Sequence, residues 1–127
     1  MLLEAAVTYN HMVAFPPLSD AELDRLFGAL ADATRRDIVT RVLSGEPTSI
    51  SAHAARYDMS FAAVQKHVAV LEGAGLVTKE QQGRERIVRG NPERLARARE
   101  LLVRLERLWR DRFSQLDAVL EDPTPRE

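Results

Sequence analysis

Hydrogen-bonding side chains of different types are gathered in the stretch from Met59 to Val77, MSFAAVQKHVAVLEGAGLV. Gln65 and Lys66 have the length and the donors to reach base edges in a DNA major groove, where glutamine suits adenine and lysine suits guanine. Ser60 is placed to cap a helix and also to bond a phosphate. The same side chains are common on any solvated helix face, so the pattern alone leaves both interpretations open.

The remaining residues of this stretch suit a close approach to another surface. Ala62 is small enough to leave clearance, Phe61 is placed to contact a thymine methyl, and His67 flanks the same face. Val64, Val68 and Leu71 lie at helical spacing and predict the opposite, buried face. The stretch therefore predicts an amphipathic helix with a small, polar outer face.

The sequence contains few residues suited to catalysis or metal binding. The chain of 127 residues has no cysteine and only three scattered histidines, which excludes thiolate metal sites and disulfides. No glycine-rich phosphate loop and no carboxylate pair in a plausible cleft stand out. We therefore expect no enzyme, no cofactor and no bound metal.

The charge of the chain is unevenly distributed although its net value is only −1. Residues 79–112 contain eleven basic and six acidic residues, whereas residues 1–32 contain five acids and one base. A local basic excess favours a polyanionic partner, but it also fits the solvated face of a long helix. No apolar run reaches the roughly 20 residues of a membrane span, and the start is a poor signal peptide. We expect a cytoplasmic protein with no membrane partner.

Capping residues predict where the helices that position these side chains begin. The predicted N-caps are Ser19, with Glu22 as its capping-box partner, Asp32, Thr48 or Ser49, and Ser60. Gly45 is expected to end the second helix, and the short third helix is expected to run to about Arg56.

The hydrophobic period changes after the fourth helix. Residues 76–79 and 86–89 are β-like and flank the polar turn at 81–84, which predicts a hairpin. Asn91 and Pro92 then predict the cap and first position of a helix that reaches about Glu121. Its apolar stripe is too wide for a solvated helix, so it must bury against the domain or a second copy.

The predicted fold class is mainly α with a small β-hairpin wing, a winged helix-turn-helix. We divide the chain into a lead-in segment at 1–17, a winged domain with a long dimerisation helix at 18–121, and a flexible tail at 122–127.

Three segments in this order resemble the ArsR-type bacterial transcriptional regulators. Residues 26–38, LFGALADATRRDI, are similar to the opening motif of that family, residues 59–77 to its reading helix and exit, and residues 83–86 to its wing. The resemblance implies a sequence-specific DNA-binding regulator, usually a repressor, that forms a homodimer by dimerising through its terminal helices. It would bind a pseudo-palindromic operator on double-stranded DNA and be released by a signal such as a small-molecule inducer.

The resemblance also assigns expected roles to residues. In the reading helix the expected DNA contacts are Ser60, Phe61, Ala62, Gln65, Lys66 and His67, and in the wing they are Gln82, Arg84 and Arg86. Arg35 and Arg36 are expected either to touch the DNA backbone or to pair with nearby acids. The expected dimer contacts are Leu23, Phe27, Leu102, Leu105, Trp109 and Leu116, unless some of these belong to the core of one subunit.

Two departures from the family pattern bear on control. The cysteine pair and the Asp and His ligands of the metal-sensing branches are missing, so metal control of those types is not expected. His53 stands where the family usually has a buried leucine. It is expected to be either a partly buried, hydrogen-bonded residue or a spot sensitive to pH or ligand.

One alternative function remains open at this point. A winged-helix module that binds protein would use the same face, but that face would then be an exposed apolar groove rather than a polar helix beside a basic wing. Salt-insensitive binding would favour this alternative.

Overall fold

A computed structural model describes residues 16–45 and 48–121. Its elements, in chain order, are α1 (Asp20–Ala29), α2 (Ala33–Ser44), β1 (Thr48–Ser49), α3 (Ile50–Ala54), α4 (Phe61–Gly73), β2 (Val77–Gln82), β3 (Glu85–Gly90) and α5 (Pro92–Glu121). The three strands form one antiparallel sheet in the order β1–β3–β2. The fold is therefore mainly helical with a small wing, as the sequence predicted.

The predicted caps of the first helices are present. At the start of α1, the Ser19 hydroxyl accepts from the backbone N–H of Glu22, and the Glu22 carboxylate accepts from the backbone N–H of Ser19. Asp32 caps α2 through the N–H of Arg35, and Gly45 ends that helix. Because a cap needs only residues three apart, these helix starts depend on local sequence alone.

The region between α2 and α3 differs from the prediction. Thr48 and Ser49 form a short strand that pairs with Val88 and Ile87 of β3, and Ser49 then caps α3. Thr48 is therefore not the cap. The third helix ends at Ala54 rather than near Arg56, because the chain turns toward α4 immediately afterwards.

The hairpin is longer than the sequence indicated. Strands β2 and β3 pair from Val77 opposite Gly90 to Gln82 opposite Glu85, which leaves a two-residue turn at Gly83 and Arg84. Gly83 has φ of +64°, a conformation that favours glycine. The structure thus places Gln82 at the end of a strand and Arg84 in the turn.

The core is one cluster of buried apolar side chains contributed by the helices and the sheet. Its fully buried members include Leu26, Ile38, Val64, Val68, Leu71, Leu76 and Val88. We propose that residues 18–121 are the single domain expected from the sequence, since the cluster begins at Leu18 and reaches Ala98 in α5. The lead-in prediction up to residue 15 and the tail prediction at 122–127 lie outside the described residues.

Most of α5 extends beyond this core. It has 30 residues, which corresponds to about 45 Å, and its large apolar side chains from Leu102 onward are exposed. Within the two described ranges, no helix is both long enough and apolar enough to cross a membrane.

Candidate nucleic-acid interface

Helix α4 has a buried face and an open face. Val64, Val68 and Leu71 are fully buried, whereas Gln65 and Lys66 are exposed on the other side of the helix. The only acidic residue of α4, Glu72, lies at its end and forms an ion pair with Lys79 of β2 (3.2 Å). The open face of α4 thus carries donors, and the one carboxylate on the helix itself is paired.

The first turn of α4 is built by Ser60. Its hydroxyl oxygen accepts from the N–H of Ala63 (3.1 Å), which leaves the hydroxyl proton available for a second acceptor such as a phosphate oxygen. Phe61 is 47% exposed and Ala62 is exposed beside it. Both side chains are therefore accessible to another surface at the start of α4.

His67 is placed differently from Gln65 and Lys66. Its side chain is only 22% exposed, and its Nδ1 lies 3.2 Å from an Arg35 guanidinium nitrogen and 3.9 Å from an Asp32 carboxylate oxygen. His67 therefore connects α4 to the start of α2 at the flank of the open face. The backbone N–H of Arg35, bonded to Asp32, holds the pKa of that carboxyl below its usual range.

Arg35 and Arg36 bond the end of α1. Arg35 donates from Nε to the carbonyl of Ala29 (2.7 Å) and from Nη2 to that of Gly28 (3.3 Å), while Arg36 donates from Nη1 to the carbonyl of Leu30 (2.7 Å). Both side chains thus satisfy backbone carbonyls that a helix end leaves open. Neither side chain forms an ion pair with a described acid, although the charge of Arg35 adds to its backbone N–H in lowering the pKa of Asp32. Contact with the DNA backbone stays a prediction.

In the wing, Arg84 is the most accessible of the predicted residues. It is exposed in the two-residue turn, and none of its side-chain atoms bonds a described residue. Arg86 instead donates to the side chain of Gln81 across the hairpin (3.0 Å), and Gln82 contacts Glu80 (3.4 Å). These bonds favour Arg84 over its neighbours as the wing residue for a narrow minor groove or a phosphate.

The end of α4 is locked to the start of α5. Gly75 has φ of +79°, and the guanidinium of Arg94 occupies the space where a Cβ would lie. Asn91 donates through its side-chain amide to the carbonyl of Gly75 (2.9 Å) and through its backbone N–H to Leu76 (2.9 Å). The Asn91 side chain thus bonds across to the exit of α4.

The predicted dimer contacts divide into two groups. Leu23 is partly buried against the core of the subunit, which is the alternative considered for some of these residues. Phe27 is partly exposed, and Leu102, Leu105, Trp109 and Leu116 are all at least half exposed. The rings of Trp109 and Phe113 meet edge to face, with centroids 5.2 Å apart, and extend the exposed apolar stripe.

His53 is more buried than the sequence indicated. It is 1% exposed, its Nε2 lies 2.7 Å from the Thr48 hydroxyl, and its Nδ1 has no hydrogen-bond partner among the described residues. Burial lowers the pKa of His53 below its ordinary value of 6.5, and the guanidiniums of Arg56 and Arg41 lower it further, against the opposing charge of Asp37. Sequence reasoning missed Arg41 and Arg56, because only the fold brings them beside this ring.

We predict that His53→Leu makes the free energy of unfolding less sensitive to acid. The folded state holds the His53 pKa below 6.5, so the unfolded chain binds more protons below that pH. Stability is therefore lost as the pH falls from 6.5 through the folded pKa, with a slope of up to about 1.4 kcal/mol per pH unit. Urea unfolding of both proteins at about pH 7 and about pH 5 measures this difference. Parallel losses of stability in the two proteins would contradict it.

Comparison with known proteins agrees with this arrangement. A family model described as a helix-turn-helix domain matches residues 30–80. The chain is 38% identical over 86 residues to the HTH-type transcriptional regulator Rv2034 of Mycobacterium tuberculosis, covering 68% of this chain and 77% of that protein. It is 37% identical over 78 residues to the HTH-type transcriptional regulator YuzN of Bacillus subtilis, and the match covers 57% of this chain and 85% of that protein.

Solved structures show the same fold. An ArsR-like transcriptional regulator from Rhodococcus sp. RHA1 is 33% identical with a TM-score of 0.68, covering 80% of this chain and 95% of that one. A homodimeric winged helix-turn-helix DNA-binding domain from Mycobacterium bovis is 19% identical with a TM-score of 0.56, and the match covers 72% of this chain and 91% of that one. At this identity the similarity concerns the fold alone. These comparisons confirm the predicted fold class, and the curated relatives named above are regulators rather than enzymes.

Proposed function

Because this chain belongs to the ArsR-type winged helix-turn-helix transcriptional regulators, which bind DNA, we propose that it represses transcription as a homodimer on a pseudo-palindromic operator. The observation that carries the proposal is the open face of α4, where exposed Gln65 and Lys66 follow a first turn capped by a serine. A second exposed donor, Arg84, lies in the turn of the wing.

The direct reading of bases is assigned to α4. Gln65 and Lys66 project from the side opposite the buried valines, and the small Ala62 lies on that side as well. A helix that enters the major groove needs clearance at its start and donors of sufficient length further along. We assign base contacts to Gln65 and Lys66 and a phosphate contact to Ser60.

Contacts outside the base edges are assigned to the wing and to the flank of α4. Arg84 is free to enter a minor groove or to meet a phosphate, because no described residue engages its guanidinium. His67 has a supporting role in this proposal, since its ring already contacts Arg35. Arg35 and Arg36 reach a phosphate only by sharing or giving up their bonds to the end of α1.

Dimerisation is assigned to α5. Its exposed apolar side chains are Leu102, Leu105, Leu108, Trp109, Phe113, Leu116, Val119 and Leu120, and Leu105, Leu108 and Trp109 line a groove of about 380 Å³ with Arg112. A continuous apolar stripe of this kind on an otherwise charged helix is suited to pairing with a second copy. Phe27 of α1 is exposed as well and is assigned to the same interface.

Selection of bound sequences from random duplex DNA, at stated salt, tests the function. We expect an enriched inverted repeat whose half-sites are about 34 Å apart, one DNA turn, since two reading helices are related by a twofold axis. Failure to enrich any motif would overturn DNA recognition, and an enriched single half-site would overturn the dimeric mode. A reporter gene controlled by the selected repeat should be expressed more strongly when the regulator is absent; weaker expression would indicate an activator.

A further inference from the structure

A polar cavity of about 330 Å³ lies where α2 ends and where β1 and α3 begin. The residues that line it are Arg41, Ser44, Gly45, Thr48, His53 and Arg56. Its volume is at the lower end of the roughly 300–1,000 Å³ found for small-molecule sites. None of these residues belongs to the DNA-reading face or to the dimer stripe described above.

The charge at the cavity is positive. Two guanidiniums, from Arg41 and Arg56, contribute to the lining. The Nε of Arg41 is paired with the carboxylate of Asp37 (2.8 Å), which also accepts from the Tyr57 hydroxyl. Arg56 forms no hydrogen bond or ion pair with a described residue, so its guanidinium donors are available at the cavity.

His53, which lines the cavity, lowers the stability of the fold if its role is only structural. His53 is almost fully buried, and its Nδ1 has no partner among the residues described. A buried polar atom without a partner costs about 1–3 kcal/mol, a cost that an apolar side chain of similar size avoids. Residues that break a local rule in this way are concentrated at functional sites.

The hydroxyl of Thr48 connects the histidine to the cavity. When the Nε2–H of His53 donates to Thr48 Oγ1 (2.7 Å), the proton of that hydroxyl is free to donate to a bound acceptor. The Ser44 hydroxyl, in contrast, donates to the carbonyl of Thr40 within α2. Thr48 and the two arginines are thus the donors available to a ligand.

From this arrangement we infer that the cavity binds a small molecule through an oxyanion group, a carboxylate or a phosphate. The guanidinium of Arg56 provides the charge-assisted bonds, Arg41 adds its terminal nitrogens, and the Thr48 hydroxyl is a further donor in the lining. Planar guanidinium groups match the geometry of carboxylate and phosphate oxygens.

The position of the cavity links such a ligand to the DNA-binding elements, a step that rests on the proposed function. Thr48 is paired with Val88 of the wing strand β3, and α3, which carries His53, packs against α4. A ligand held by Thr48 and Arg56 therefore contacts the strand that pairs with the wing and the turn between α3 and the reading helix. Such a ligand changes the affinity for DNA if it binds the DNA-bound and free conformations unequally.

Amide and histidine-ring NMR of the full chain tests the site without DNA. The chain is titrated with inorganic phosphate in one arm and with acetate in the other, at constant ionic strength. We expect saturable shifts at Gly45 and Thr48 and a raised pKa of His53 in at least one arm, which also identifies the anion class. Arg56→Gln should weaken this binding by at least about tenfold, because it removes a charged hydrogen-bond donor.

The matched control is Arg25→Gln, which removes an exposed arginine on α1, away from the cavity lining. The inference is overturned if neither anion gives saturable shifts at the cavity, if Arg56→Gln binds as tightly as wild type, or if Arg25→Gln weakens binding equally. A dispersed spectrum for Arg56→Gln verifies that this exposed substitution leaves the fold intact.

Coupling to DNA is measured separately, with the selected operator and at matched ionic strength. The effective anion should change the operator affinity of wild type and leave that of Arg56→Gln unchanged. Equal affinity of wild type with and without the anion would overturn the coupling. Absence of operator binding by wild type without any added anion would instead overturn the proposed function, while the NMR result for the cavity would stand by itself.

Discussion

Leu105→Glu is expected to convert the protein into a monomer and to lower its affinity for the inverted-repeat operator by at least about 100-fold. Leu105 is 51% exposed on α5 and lines the groove beside Leu108 and Trp109. A carboxylate at this position would have to be buried without a partner in the proposed interface. A monomer also loses the second half-site, whose contribution through effective concentration is about 10²–10⁴. Sedimentation measures the mass, and fluorescence anisotropy with labelled operator measures the affinity.

Ser114→Glu is the matched control for this substitution. Ser114 is exposed and lies nine positions along α5 from Leu105, which places it on the opposite side of the helix. The Ser114→Glu variant carries the same added charge, and we expect it to remain dimeric and to bind the operator with near wild-type affinity. If Leu105→Glu sediments as a dimer, or if both variants lose DNA binding equally, the assignment of the α5 stripe to dimerisation is wrong.

Lys66→Ala is expected to cost about 1–3 kcal/mol at each half-site, and about twice that for a dimer on both half-sites. Lys66 is exposed on the open face of α4, and its ammonium suits the acceptors of guanine in the major groove. The loss should be confined to the selected operator and should relax the preference at the base that Lys66 reads. Repeating the sequence selection with the variant measures this change, and Gln65→Ala should act in the same way at a neighbouring position.

Arg84→Ala provides the comparison that separates base reading from phosphate contact. Arg84 is exposed in the wing turn, and its loss should weaken binding to all DNA sequences. The slope of the logarithm of the binding constant against the logarithm of the salt concentration should become shallower by about one unit per subunit. If Lys66→Ala weakens binding to a scrambled duplex as much as to the operator, then Lys66 contacts only phosphate and the assignment of base reading fails.

The parts of the fold that could be predicted from sequence are those set by neighbouring residues. The Ser19 capping box, the Ser60 cap and the buried face of α4 each depend on residues three or four apart. The glycine turn of the wing was predictable in the same way, because Gly83 adopts a backbone conformation that other residues rarely adopt. The extent of the strands was underestimated, since pairing carried β2 into the polar stretch that composition assigned to the turn.

The features that could not be predicted depend on residues distant in the chain. Strand β1 has only two residues and exists because β3, about 40 residues later, pairs with it. The contact of His67 with Arg35 joins residues 32 apart, and the bonds of Arg35 to the end of α1 compete with its expected role on DNA. The cavity likewise has no sequence signature, because Arg41 lies on α2 and Arg56 in the turn after α3, and only packing brings them to His53.

The pairing of β1 with β3 has a consequence for anyone who builds chimeric regulators from this chain. Ser49 is at once the last residue of a strand bonded to the wing and the cap of α3. A wing transplanted from a relative as residues 77–90 alone would be separated from the strand that evolved to pair with it. The exchangeable unit is therefore discontinuous, and a graft should carry positions 48 and 49 together with the hairpin.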